Sequence, residues 1–221
     1  MLSNATKNQQ YLSAMGVQVW LERSSDQPIV VGVADEPLAI ESMDVVQLSN
    51  RVSDCQRCDL SALGSQKTFS LGAPATQQWL IIGDAPSAEG SPFSASATGL
   101  LRDVLLAVDK KIATSYLTTS VKCVQSQRIP STEEHLCCRP YLVRQIELVK
   151  PELVLVLGEL AAQSLLSTSD KLDGLRGKPH TLKGVDAPII VSYQPDEVLR
   201  SPLLKKLVWQ DLQLARRLIL A

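Results

Sequence analysis

Two thiols stand one short turn apart in the stretch Asp54-Cys-Gln-Arg-Cys-Asp-Leu60, and three more follow at Cys123, Cys137 and Cys138. Thiolates ligate zinc or iron–sulfur clusters, and a CxxC pair supplies two of them from one loop. The ligand set read from the spacing is Cys55, Cys58, Cys123 and Cys138. The second pair is separated by 15 residues, which is unusual for structural zinc and favours a [4Fe–4S] cluster, with zinc as the alternative. Cys137 and Cys138 are neighbours on an expected helix, where side chains point about 100° apart. Only one of them, Cys138, is expected to face the metal. His135 is the nearby imidazole.

The elements that must hold these thiols alternate between strand and helix. Apolar runs at 78–83, 116–121, 153–158 and 188–192 read as strands. Helices are expected at 45–52, 98–108, 132–150, 159–166 and from 202 to about 218. Strands apolar on both faces indicate a parallel sheet covered by helices. In such folds ligand chemistry gathers in the loops after the strands. Here those loops are GDAPS, VKC, LGE and SYQP. Residues from 8 to about 16 suggest a short amphipathic helix with apolar residues continuing to 20, and 28–33 a short strand.

The chain has 221 residues, a formal net charge of −1 and 45% hydrophobic residues. This is enough for one α/β domain with an extension. The charge balance argues against a dominant electrostatic grip on nucleic acid. No apolar run reaches the ~18 residues of a membrane span, and the N-terminus lacks a secretory h-region. A cytoplasmic location without membrane partners is expected, where paired thiols read as metal ligands rather than disulfides.

From residue 50 onward the blocks CxxC, IIGDAP, SPF, VKC, RIPSTEEHLCCRPYL, PELVLVLGELAAQSLL, LRG, YQPDEVLR and KKLVWQDL occur in an order that resembles the family 4, iron–sulfur uracil-DNA glycosylases. The resemblance implies a uracil-DNA glycosylase-like fold, a four-stranded parallel sheet flanked by helices. It also implies a [4Fe–4S] cluster on the same four cysteines. Such enzymes flip uracil out of DNA into a snug pocket and cleave its glycosidic bond. A carboxylate or water-holding loop lies near the sugar, an aromatic ring stacks on the base, an amide reads its edge, and a histidine stabilises the departing anion.

At the matching positions this chain differs. The family's GEAPG is Gly83-Asp84-Ala85-Pro86-Ser87, and Phe93 keeps the stacking aromatic. Thr119 stands where an asparagine reads the base, and one hydroxyl cannot make an amide's paired contact. The His-Pro-Ser loop is Gln194-Pro195-Asp196. The joint change predicts a degenerate pocket at Asp84, Phe93, Thr119 and Gln194, and no catalytic residues.

Residues 1–27 are expected to be an interaction arm, with the iron–sulfur domain spanning 28–221. Leu12, Met15, Val17 and Trp20 resemble the arm of the psi subunit of bacterial DNA polymerase III. That resemblance implies a non-enzymatic adaptor joining the clamp loader to the chi subunit, and through chi to the single-strand DNA-binding protein. Trp20 would be the main anchor. The alternative is an active uracil-DNA glycosylase of base-excision repair.

Overall fold

The computed structural model describes residues 37–62, 66–70, 79–124 and 128–220. The expected arm, with Leu12, Met15, Val17 and Trp20, and the strand expected at 28–33 lie outside these residues.

In chain order the elements are helices α1 (Pro37–Ser42), α2 (Val45–Ser53) and α3 (Asp59–Ala62), strand β1 (Trp79–Gly83), α4 (Ala95–Leu106), β2 (Tyr116–Thr119), α5 (Thr132–Val149), β3 (Leu153–Leu157), α6 (Glu159–Leu166), α7 (Leu172–Leu175), β4 (His180–Leu182), β5 (Val185–Ser192), α8 (Pro195–Arg200) and α9 (Lys205–Leu220). The sheet order is β2-β1-β3-β5-β4. The first four strands run parallel, as the apolar runs predict. A fifth strand, β4, pairs antiparallel at the edge and extends the expected four-stranded sheet. It escapes sequence reading because it is three residues long and mostly polar. The β4–β5 ladder shifts register between His180 and Leu182. Pro188 of β5 lies within that span, and its missing N–H cannot take part in an unbroken ladder.

Alternation along the strands divides the core in two. Leu80, Ile82, Val154, Val156, Ile189 and Val191 pack with Leu142 and Ile146 of α5 and Ala161 and Leu165 of α6. Trp79, Ile81, Leu153, Leu155 and Ile190 pack with Leu101 and Leu105 of α4 and Leu212 and Ala215 of α9. Burial on both faces is why the strands read as unbroken apolar runs. Two helices carry reciprocal capping boxes that fix where they start. Asp44 and Gln47 cap α2, and Ser131 and Glu134 cap α5.

One charged pair lies inside the fold. Asp211 of α9 is fully buried and accepts from Arg176 Nη2 at 2.9 Å and from Ser192 Oγ at 2.7 Å. Arg176 also donates to the Leu207 carbonyl at 2.7 Å and stacks over the Tyr193 ring at 5.1 Å. The pair pins α9 and the 176–177 loop to the end of β5. Removing one member of a buried pair costs about 3–5 kcal/mol because the other charge is left unmatched. Asp211→Ala is therefore expected to destabilise the chain by about 3 kcal/mol. Urea unfolding checks this, and a loss below about 1 kcal/mol would contradict the burial argument.

Candidate active site and cysteine cluster

Parallel strands deliver their C-terminal loops to one edge, and a cleft of about 480 Å³ opens there. Its walls come from Asp84–Ser87 after β1, from Phe93 and Ser94 before α4, from Gly158–Leu160 at the start of α6, and from Gln194, Asp196, Glu197 and Arg200 at α8. The volume is that of an ordinary small-ligand site.

Asp84 is the central group. Its Oδ1 accepts from the Ala161 backbone N–H at 2.8 Å, in the first turn of α6. Its Oδ2 accepts from Gln194 Nε2. Gly158 makes this possible. Its φ of 116° lies in the region favouring glycine, and a Cβ there would stand 2.6 Å from both carboxylate oxygens. Burial pushes the Asp84 carboxyl up to about 7. The Ala161 N–H opposes that rise, Glu197 and Glu159 add to it, and the Gln194 hydrogen bond again opposes it.

Phe93 is buried and lies across Gly83, where an added Cβ would come 2.8 Å from the ring edge. The strand-end glycine thus leaves room for the aromatic wall. Ser94 caps α4 by accepting from Ala97 N, and its hydroxyl donates to Asp196 Oδ1 at 2.7 Å. This bond ties the two lips of the cleft together.

Of the four expected pocket positions, the structure brings together Asp84, Phe93 and Gln194. Thr119 is buried beside Gly83, its hydroxyl donating to the Val121 carbonyl at 2.6 Å. It is not part of the cleft wall. Sequence reading missed Ser94, Gly158 and the Ala161 amide, and no residue type marks a backbone N–H.

The cysteines form a second centre. Cys55, Cys58, Cys123, Cys137 and Cys138 border one small cavity with Lys122 and Tyr141. Cys55, Cys123 and Cys138 are buried. A hydrogen bond between Cys58 and Cys123 pulls the Cys58 thiol down to about 6 and pushes that of Cys123 up. Burial pushes Cys138 up to about 11. Among the described residues no group of three or more His, Cys, Asp or Glu converges on a single metal position. Ligands of a four-iron cluster each bind a different iron, so four thiols around one cavity fit that donor set without a shared point. The zinc alternative needs such a point and is not supported.

Residues 66–68 strap the site from outside. Lys67 bridges Cys123, Thr68 N donates to the Lys122 carbonyl at 2.8 Å, and Val124 N donates to Gln66 O at 2.8 Å. Lys122 is fully buried and donates to Thr118 Oγ1, the Thr119 carbonyl and Gln145 Oε1 at 2.6–2.7 Å. His135 turns away from the thiols to Ser120 Oγ, at 2.9 Å.

Residues 69–213 match the uracil DNA glycosylase superfamily. A type-4 uracil-DNA glycosylase of Pyrobaculum aerophilum is 30% identical over 186 residues, covering 77% of this chain and 92% of that protein. Type-4 uracil-DNA glycosylases of Archaeoglobus fulgidus and Thermotoga maritima are each 28% identical, covering 76% and 81% of this chain and 88% and 95% of those proteins. These findings correct the expectation of a psi-like, non-enzymatic adaptor with clamp-loader, chi and single-strand DNA-binding protein partners. That expectation rested on a few residues of the arm and on a pocket thought dismantled. The match instead covers the sheet and the cleft, where Asp84 and Gln194 are bonded to each other.

The Asp84 proton also bears on stability. The folded chain holds it more tightly than the unfolded chain does, so stability falls as pH rises from 3.8 to about 7. Asp84→Asn is expected to remove that slope and to be more stable than the parent at pH 8. Denaturant melts at pH 5 and pH 8 check this, and parallel losses in both chains would refute it.

Proposed function

The chain belongs to the uracil DNA glycosylase superfamily, and from that membership we propose that it removes uracil from DNA. The single observation that supports the reading best is the convergence of Asp84, Phe93 and Gln194 in one cleft at the strand ends.

On this reading the flipped base enters the cleft and stacks on Phe93. The bond between the base nitrogen and the sugar C1′ breaks, and its electron pair leaves with uracil. Positive charge builds on the sugar. Ionised Asp84 stabilises that charge, orients the water that adds to C1′, and takes the proton that the water gives up as the new bond forms. Gln194 and the Ala161 N–H hold the carboxylate in place, so little reorganisation accompanies the reaction. Gly158 keeps the space that this arrangement needs.

We also assign a [4Fe–4S] cluster to Cys55, Cys58, Cys123 and Cys138. When bound it supplies iron–thiolate bonds that staple the 55–58 loop to the end of β2 and to α5. Strand β2 pairs directly with β1, which ends at Gly83, the residue before Asp84, so the staple supports the site from behind.

Single-turnover cleavage of a uracil-containing oligonucleotide tests the activity. The parent chain is expected to cleave with a rate that rises with pH through about 7, as Asp84 ionises. Asp84→Asn is expected to lose about 10²-fold or more. No cleavage by the parent, or equal cleavage by the variant, would sink the reading. For the cluster, Cys58→Ser is expected to lose bound iron and to melt at lower temperature. Unchanged iron content and melting would remove Cys58 from the ligand set.

A further inference from the structure

Two buried donors beside the cysteines have nothing to bond to. The cavity bordered by the five thiols is also lined by four other polar side chains, those of Arg57, Lys67, Lys122 and Tyr141. Two of these are satisfied. Lys67 Nζ donates to the Ser53 carbonyl at 2.9 Å, and Lys122 donates to its three acceptors. The other two are not. The Tyr141 hydroxyl and Arg57 Nη1 are shut off from solvent and have no hydrogen-bond partner among the described residues. Both atoms carry N–H or O–H groups, and a buried donor left unpaired costs about 1–3 kcal/mol. Two such atoms at one cavity point to an acceptor that belongs there. Tyr141 is 1% exposed and stands on α5 about one turn beyond Cys138. It packs with Cys55, Leu48 and Val52. Arg57 lies within the ligand loop, between Cys55 and Cys58, and its guanidinium stands 5.7 Å from the centre of the Tyr141 ring. The stacked pair brings a hydroxyl and a guanidinium together on the Cys55 side of the cavity.

Four thiolates outweigh the positive charge of an iron–sulfide core, so the loaded group is an anion. An anion taken out of water needs donors around it. Cluster sulfurs accept hydrogen bonds, and those bonds help to set the reduction potential. Uptake of one electron adds negative charge and strengthens each such bond. A donor therefore favours the reduced cluster and raises its potential. We propose that Tyr141 Oη and Arg57 Nη1 donate to sulfur atoms on the Cys55 side of the cluster and hold its potential up. This rests on the cluster assignment above and adds to it two residues that act through the sulfurs rather than as ligands. A pair that served packing alone would affect melting and leave the electronic properties of the cluster unchanged.

The test uses the full chain loaded with its iron under anaerobic conditions. The midpoint potential for uptake of one electron from an electrode is measured for the parent, Tyr141→Phe, Arg57→Met and Arg57→Lys. Tyr141→Phe and Arg57→Met are expected to keep the parent's iron content and to weaken electron uptake on the order of tenfold, a potential lower by about 59 mV. Arg57→Lys keeps a cationic donor and is expected to recover part of that shift. Resonance Raman spectra in light and heavy water read the same bonds without electron transfer. The iron–sulfur stretching bands of the parent are expected to move on deuteration, and to move less in Tyr141→Phe. Unchanged potentials in Tyr141→Phe and Arg57→Met, or a deuterium shift equal in the parent and Tyr141→Phe, would overturn the proposal. A parent chain that binds no iron would instead overturn the cluster assignment, and this inference with it.

Discussion

The site depends on one enclosed carboxylate. Asp84 stands where β1 ends, and three separate parts of the chain close around it. The first turn of α6 offers an N–H, the start of α8 offers the Gln194 amide, and Gly158 withholds a side chain. None of these makes sense alone. Gly158 begins α6 in a backbone conformation that costs a side-chain-bearing residue, and the space it leaves is filled by the carboxylate. The enclosure raises the cost of ionisation and brings Asp84 to about 7. A group with that balance can change charge near neutral pH, which is what a general base requires.

The cysteine centre is coupled to this carboxylate through the sheet. Hydrogen bonding between the first two strands continues past their ends. Ser120 N reaches the Gly83 carbonyl at 2.8 Å and Val121 N reaches that of Asp84 at 2.9 Å. The next two residues are Lys122 and Cys123. Burial lowers the Lys122 amine to about 7, and it donates to three acceptors from β2 and α5, as a buried polar group must. It locks the turn that presents Cys123. The order along the chain is then cleft loop, strand pairing, buried lysine, thiol. Displacing the thiol end would be felt at Asp84 through backbone bonds rather than through flexible side chains.

How much of this could be read from the sequence follows from what each feature is made of. The four parallel strands are apolar on both faces and stand out as runs. Helix α5 shows its capping box, and α6 follows a strand at once. The edge strand β4 and the short helices α1, α3, α7 and α8 carry little periodicity and were not legible. The cysteine cavity was legible because thiols are rare and their types alone suggest a ligand set. The cleft was legible only in part. Asp84, Phe93 and Gln194 could be placed by matching loops. Thr119 was misplaced, because position along a strand does not say whether a short hydroxyl faces a cleft or folds back onto Val121 O. The backbone N–H of Ala161 has no signature in the sequence.

The same distinction shows why a tally of altered loop positions is a poor guide to the state of the site. Counting substitutions treats each position as an independent part. The structure shows Asp84 and Gln194 as one hydrogen-bonded unit, and Thr119 as no part of the cleft. The charge around that unit also has a direction. Asp84, Glu159, Asp196 and Glu197 line the cleft against Arg200, though Lys171 partly offsets Glu159 and Ser94 donates to Asp196. A field of that sign favours positive charge on the sugar and disfavours negative charge on the departing base. A neutral glutamine at position 194 fits such a division. On the proposed reading, the protein stabilises the sugar half of the transition state with carboxylate charge. The base half is left to neutral donors and to stacking on Phe93.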